Sequence, residues 1–329
     1  MPANLPPEYF AAEERFRAAE TTEEKIASLE ELISTVPKHK GTDHLRADLR
    51  RKLAKLRESA AARKSGGRRE SPYNISREGA AQIVVIGPAN TGKSSLVRAL
   101  TNAEPEVAEY PFTTRIPTPG MMPIDNVQVQ LVDTPPLDYA FEEGPLISLI
   151  RRADLILLVI DLQADPIEQY EQMLARLEEH RIIPAQLRDE YPPESRLWFI
   201  PMLVLVNKTD DERHDEDFEV LCELLGEPQC PLIPISVEQN RNIERMKQAV
   251  FEHLGIIRVY SKPPGKEPDF SAPFVLKAGS TVEEFAGRVH RDFVEQLRSA
   301  RVWGTGVYDG QMVGRDHVLH DGDIVELNA

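Results

Sequence analysis

Eight residues, Gly87-Pro88-Ala89-Asn90-Thr91-Gly92-Lys93-Ser94, follow the pattern G-x-x-x-x-G-K-[ST] between an apolar run, Gln82–Ile86, and a run suited to a helix, Lys93–Leu100. The chemistry this spacing serves is polyphosphate binding. Glycines let the backbone curl until its N–H groups face the phosphates, and the N-terminus of the following helix adds positive potential. Lys93 neutralises phosphate charge and the Ser94 hydroxyl can ligate Mg²⁺, while Asn90, Thr91, Gly92 and Ser95 complete the stretch a nucleotide would meet. A plain glycine-rich strand-to-helix turn explains the glycines but not the lysine and hydroxyl beside them.

A second group lies 114 residues beyond Lys93, where Asn207-Lys208-Thr209-Asp210 follows the apolar run Met202–Val206. The Asp210 carboxylate can accept from N1–H and the exocyclic amine of guanine together, two donors that adenine does not present in that arrangement. This favours GTP over ATP. Ser236, closing Pro234-Ile235-Ser236, and Val237 after it can place donors near the guanine oxygen. Between the two groups, Asp133 ends the run Val127–Val132 in Asp133-Thr134-Pro135-Pro136, where a carboxylate can hold Mg²⁺ through water ahead of a loop that senses the γ-phosphate. Upstream, Tyr110-Pro111-Phe112-Thr113-Thr114 has the separation needed to bring a threonine to the same metal.

Elements that would position these residues are legible as alternation. Short apolar runs at Gln82–Ile86, Val127–Val132, Leu155–Ile160, Met202–Val206 and Leu232–Ile235 predict strands, and Lys93–Leu100, Pro145–Arg152, Ile167–Glu179 and Asn242–Leu254 predict helices between them. That order implies a mostly parallel sheet covered on both faces. Residues 181–197, rich in Pro and charge, are expected to be an exposed loop or a short insertion with no assignable chemistry. Before this region, Phe16, Ile26, Leu29 and Ile33 recur at helical intervals, and Leu45, Leu49, Leu53 and Leu56 mark one face of a basic amphipathic helix. Ser65-Gly66-Gly67 reads as a flexible joint. After Gly255 come a strand at Ile256–Tyr260, a turn-rich Lys262-Pro263-Pro264-Gly265, a strand at Phe274–Leu276, a helix from Val282 to about Leu297, and a strand at Asp323–Leu327. Trp303 and Tyr308 are expected in the core of this last unit.

With 329 residues there is chain enough for two or three domains. No run approaches the roughly 18 uninterrupted apolar residues of a membrane span, so no membrane partner is expected. Met1–Phe10 lacks the pattern of a secretory leader. Cys222 and Cys230 have no metal-ligand spacing, which points to reduced thiols and a cytoplasmic location. The net charge of −15 is unevenly spread: residues 79–257 hold 14 Lys/Arg against 30 Asp/Glu, whereas Lys38–Arg69 holds twelve against three. A basic arm on an acidic protein suits a polyanionic partner such as RNA, or equally a clamp onto its own acidic centre.

Taken in order, the phosphate loop, the Tyr-Pro-Phe-Thr-Thr segment, Asp133 and Asn207–Asp210 resemble the Obg-related GTPases, particularly the DRG (developmentally regulated GTP-binding) branch. Lys38–Leu56 is similar to that branch's N-terminal helices, and Arg258-Val259-Tyr260-Ser261-Lys262-Pro263 with Val302-Trp303-Gly304 to its C-terminal TGS domain. The resemblance covers about residues 38–329. It implies an α/β fold: a helical basic region at 1–78, a P-loop GTPase domain with a mostly parallel sheet at 79–257, and a ubiquitin-like β-grasp TGS domain at 258–329. It also implies a slow Mg²⁺-dependent GTPase switch that binds GTP and GDP and engages the ribosome or RNA through arm and TGS domain. Lys93 and Thr114 become the candidates for the reaction itself. Thr114 joins Ser94 and Asp133 as a metal ligand, and Asn90 matches a loop asparagine associated with K⁺. Leu137 falls where many GTPases carry glutamine, a hydrophobic residue being usual in this group. Two departures stand out. The span from Asp161 to Asn207 is too short for the extra domain that DRG proteins insert, and Pro136 replaces an expected glycine. Proline has no N–H to give a γ-phosphate, so a nucleotide-bound interaction protein with little turnover is the alternative.

Overall fold

A computed structural model describes residues 22–36, 49, 72–101, 116–137 and 143–328 of the chain. It divides into two units, Met1–Ser71 and Pro72–Ala329. In the first, helix α1 (Thr22–Thr35) buries Leu29 and Leu32, with Val36 just beyond its end. Its inward face therefore runs through Leu32 instead of the expected Ile33, which is half-buried. Of the basic amphipathic helix only Leu49 is described; it is helical and 6% exposed. The rest of Lys38–Arg69 lies outside the described residues, as does the segment Tyr110–Thr114.

The second unit begins with strand β1 (Gln82–Ile86) and helix α2 (Lys93–Leu100), followed by a hairpin of β2 (Thr118–Ile124) and β3 (Val127–Asp133). Then come α3 (Glu143–Arg151), β4 (Leu155–Asp161), α4 (Pro166–Glu179), β5 (Ile182–Pro184), β6 (Trp198–Ile200), β7 (Met202–Asn207), α5 (Glu212–Leu225), β8 (Leu232–Pro234) and α6 (Ile243–Leu254). The main sheet has the order β2-β3-β1-β4-β7-β8, parallel except for β2. Its central strands are apolar on both faces because helices cover both. Ile83, Val85, Leu131, Leu157 and Leu205 pack with α2 and α6 on one side, while Val84, Ile86, Val132, Leu158 and Val206 pack with α3 and α4 on the other. With β1 in mid-sheet and flanked by β3 and β4, the C-terminal strand ends open a crevice where chain direction diverges, the usual ligand position in such sheets.

Three stretches differ from the expectation. Strand β2 carries Pro119, Gly120 and Pro123, residues that disguise a strand in sequence; its edge position tolerates them, since no second neighbour needs the missing N–H groups. Residues 181–197 are not simply an exposed loop: Ile182, Ile183 and Pro184 are buried, and β5 pairs in parallel with β6. Helix α5 is charged through its first half, and in its second half Leu221 is buried with Phe218 and Leu225 packed partly against the core. Its start is fixed by Asp211, whose carboxylate accepts from the N–H groups of Arg213 and His214, a side-chain cap of the ordinary kind.

The C-terminal sheet has the order β10-β9-β13-β11-β12, from β9 (Ile256–Ser261), β10 (Phe274–Lys277), β11 (Ser299–Trp303), β12 (Gln311–Val313) and β13 (Ile324–Asn328). Strands β9 and β13 are parallel and the other pairs antiparallel. Helix α7 (Val282–Val289) lays Phe285 into this core against Phe274. The single expected helix to Leu297 is two: His290 is extended at φ −164, and α8 (Arg291–Gln296) starts from it with the His290 ring accepting the Asp292 N–H. Tyr308 is 85% exposed, not core, and Trp303 is half-buried with the Lys262 ammonium 4.9 Å from its ring centre. Within this second unit the C-terminal sheet meets the main sheet at the β2–β3 turn: Arg258 bonds Asp125 and Asp321 at 2.8 and 2.7 Å, and Asn126 donates to the Tyr260 hydroxyl at 2.8 Å. Those carboxylates, Asp321 foremost, hold the Arg258 guanidinium above its usual range.

Candidate functional site

The crevice lies at the C-terminal ends of β1, β3, β4, β7 and β8. Leaving β1, the chain turns through Gly87 and Gly92, both at positive φ (148° and 95°). A Cβ on Gly87 would run into the Val159 carbonyl oxygen and one on Gly92 into the Asn207 amide, so both positions require glycine for space as well as conformation. Asn90 sits exposed on the rim at φ 64, a left-handed conformation that asparagine tolerates. Thr91 is buried and its hydroxyl donates to the Pro88 carbonyl at 3.2 Å. Lys93 opens α2 as a buried side chain, its ammonium folded back onto the same carbonyl at 2.5 Å. Ser95, next on the helix, faces solvent.

At the end of β3, Asp133 is 5% exposed and accepts from the Ser94 hydroxyl at 2.6 Å through Oδ2. Its Oδ1 is buried with no hydrogen-bond partner among the described residues. Burial pushes this carboxyl above its ordinary value, although the Ser94 bond and the Lys93 charge pull the other way. An all-oxygen pair with an unsatisfied, nearby-cation-favouring carboxylate suits a hard ion such as Mg²⁺. Among the described residues no three His, Cys, Asp or Glu side chains gather at one point. Thr134 turns its hydroxyl to the Val85 carbonyl at 2.8 Å, Pro136 is half-buried, and Leu137 is 3% exposed within the apolar core. Thr114, the third expected metal ligand, lies outside the described residues.

The end of β7 is tied into both neighbouring loops. Asn207 donates to the Thr91 carbonyl at 2.9 Å and accepts from Val237 N–H at 3.3 Å, thereby joining the phosphate loop to the loop after β8. Lys208 is held at φ 69, a conformation costing of order 1–3 kcal/mol outside glycine, and its ammonium pairs with Asp161 at the end of β4. Thr209 is fully buried and its carbonyl accepts from Arg241 at 2.8 Å. The Asp210 carboxylate accepts from the Ser236 hydroxyl at 2.5 Å. Hydrogen bonds thus join Ser94 to Asp133, Thr91 to Asn207, Asn207 to Val237 and Asp210 to Ser236, while Ser95 faces solvent and Leu137 lies in the core. Asp161, Gln163 and Arg241 were not singled out in the sequence, though Asp161 carries the same signal as Asp133, an aspartate ending an apolar strand.

Comparison with known proteins agrees with this layout. A family described as 50S ribosome-binding GTPase matches residues 82–188, and the TGS domain family matches residues 257–329. A GTP-binding protein of Methanocaldococcus jannaschii is 32% identical over 93% of this chain and 92% of its own length. The ribosome-interacting GTPase 1 of Saccharomyces cerevisiae is 27% identical over 93% of this chain and 99% of its own. Developmentally-regulated GTP-binding protein 1 of Xenopus laevis is 26% identical over 92% of this chain and 98% of its own. The alignment with the first runs over 364 positions, more than the 329 residues present here. That relative therefore carries segments this chain lacks.

Proposed function

The chain belongs to the Obg-related GTPases of the DRG type that end in a TGS domain, and from that premise we propose a slow, Mg²⁺-dependent GTPase switch converting GTP and water to GDP and phosphate. The observation that carries the proposal is the convergence at the strand ends of a phosphate loop, the Ser94–Asp133 oxygen pair and the Asp210 carboxylate held by Ser236. In this reading Gly87, Asn90, Thr91, Gly92 and Ser95 frame the phosphates with Lys93. Its ammonium exchanges the Pro88 carbonyl for phosphate oxygens and stabilises charge that grows there during transfer. Ser94, Asp133 and Thr114 hold the metal, which neutralises charge on the β- and γ-phosphates when bound. Asn207 and Lys208 set the base pocket, Asp210 reads guanine, and Ser236 and Val237 close it. Asn90 confers a response to K⁺, seen as faster turnover in K⁺ than in Na⁺ at matched ionic strength.

Slow turnover follows from Leu137. Its side chain is committed to the core and has no polar atom to orient a water. Multiple-turnover phosphate release with purified protein tests the proposal: GTP should be cleaved in Mg²⁺, ATP should not, and chelation should stop release. Equal release from ATP and GTP would remove the guanine assignment. One observation favours a second reading, a nucleotide-bound interaction protein with little turnover: Pro136 has no N–H to bond a γ-phosphate. Tight GTP binding without phosphate release would select it.

The basic segment Lys38–Arg69 and the TGS domain are proposed to engage the ribosome or RNA in the cytoplasm. Lysine and arginine contacts to phosphate release counterions, so co-sedimentation with ribosomal particles should fall steeply as salt rises. Deleting residues 1–70 should abolish it while nucleotide affinity persists. Unchanged co-sedimentation with a less stable nucleotide domain would instead make the arm an internal clamp. Among the described residues no helix is long and apolar enough to cross a membrane.

A further inference from the structure

The loop leaving β4 reaches both side chains assigned to the base. Gln163 N–H donates to Asp161 Oδ1 at 2.9 Å, which fixes the loop, and Asp161 also pairs with the Lys208 ammonium. From that anchored position the Gln163 amide nitrogen donates to the Lys208 carbonyl at 3.1 Å and lies 3.5 Å from Asp210 Oδ2. His214 Nε2 is 3.1 Å from the same nitrogen, and His214 Nδ1 is 2.9 Å from Asp211 Oδ1. Both the Lys208 carbonyl and the Asp210 carboxylate are acceptors, so the amide must present its nitrogen to them; its oxygen would face two like partners. On the opposite side of the carboxylate, Ser236 bonds Oδ1 at 2.5 Å.

We propose that Gln163 is a positioning residue for guanine selection, on the premise that Asp210 reads the base. A carboxylate has about four acceptor sites. Ser236 uses one on Oδ1, and the Gln163 amide, whose two hydrogens also face the Lys208 carbonyl and His214 Nε2 at 3.1 Å each, lies 3.5 Å from Oδ2, leaving at least as many as guanine has donors on its N1–H and 2-amino edge. The two protein donors also stop the carboxylate turning, so its remaining lone pairs meet the base without reorganisation. Gln163 is an exposed residue. Its part in the core is therefore small, and its effect should appear in selectivity before stability.

The test measures GDP, IDP and ADP affinities of full-length wild type, Gln163→Ala and Gln163→Glu, with the melting temperature of each nucleotide-free protein. IDP lacks the 2-amino group, so the GDP-to-IDP ratio reports the geometry of Asp210. Gln163→Ala should lose about threefold to tenfold in GDP affinity, as for one modest hydrogen bond, and narrow that ratio. Gln163→Glu keeps the shape but sets a negative acceptor against Asp210, and should lose more than Ala; a spacer role would rank them the other way. Melting temperatures should stay together. A selective wild type whose variants keep its affinities and ratio overturns this inference alone. A wild type binding ADP as well as GDP overturns the Asp210 assignment and this inference with it.

Discussion

The two ends of the crevice are finished to different degrees. At the end assigned to the base, Asn207 bridges two loops, Lys208 is paired with Asp161, and Asp210 is held by Ser236 with Gln163 alongside. At the end assigned to the phosphates, Asp133 keeps one buried oxygen without a partner among the described residues, and its ionised form is disfavoured by burial. The Lys93 ammonium rests on a backbone carbonyl. The Thr209 hydroxyl at the base end is also buried without a partner among the described residues, so the difference lies in charge: the base end's carboxylate is already held by Ser236, while the phosphate end keeps a buried carboxylate oxygen that a cation would meet. Preorganisation favours tight, selective binding, and unmet demand makes the phosphate end the part that responds to what is bound.

The largest effect should come from breaking the finished end. Asp210→Asn removes the acceptor for two guanine donors, each costing about 1–3 kcal/mol when left unpaired. GDP and GTP affinity should fall on the order of 100-fold in direct titration, with xanthine nucleotides gaining. A small loss shared equally by all bases would show that this end does not select.

Next comes Asp133→Asn at the unfinished end. Its carboxyl has a raised value in the fold, so the folded state holds the proton more tightly than the unfolded chain. Ionisation therefore costs stability, a deficit that opens as pH rises out of the ordinary carboxylate range and is complete above the raised value. Without nucleotide and Mg²⁺, the Asn variant should melt higher than wild type at neutral pH and lose that advantage in acid. It should also lose Mg²⁺-dependent tightening of GTP by about tenfold or more, the scale of a lost charged contact.

Pro136→Gly sharpens the comparison by adding a donor where the phosphate end lacks one. A hydrogen bond to a charged acceptor contributes about 1.5–3 kcal/mol, so a non-hydrolysable GTP analogue should bind at least tenfold tighter relative to GDP. Turnover should rise with it. No change in the ratio would mean that another N–H already reaches the γ-phosphate. The smallest effect is expected farthest away, at the seam with the TGS domain. Asp125→Ala loses a partner of Arg258 that is largely exposed, about 0.2–1 kcal/mol in stability, and GDP affinity should not move.

How far the sequence carried each end follows from the range of the signals. The phosphate loop and Asn207–Asp210 are contiguous motifs whose residue types state their chemistry, and the apolar runs Gln82–Ile86 and Met202–Val206 placed them on strands that the structure retains. Gln163 was invisible because its meaning lies in partners 45 and 47 residues away. A polar residue in a loop carries no local sign of that. Strand β2 was hidden by prolines acceptable only at a sheet edge, and edge position is a property of the assembled sheet. Tyr308 was expected inside on its apolar ring, but the Gly-rich turn from Gly304 to Gly310 carries it outward. The break at His290 depends on the ring capping the next helix, which periodicity cannot distinguish from continuation.

The contrast between the ends is most directly tested by amide hydrogen exchange on nucleotide-free protein, with GDP alone, and with Mg²⁺ and a non-hydrolysable GTP analogue. The account predicts that residues 207–210 and 236–239 are already protected without nucleotide and change little, while the amide-bearing residues of 133–137, namely Asp133, Thr134 and Leu137, gain protection only when metal and triphosphate are both present. Protection appearing first at 207–210, with 133–137 unchanged throughout, would contradict it.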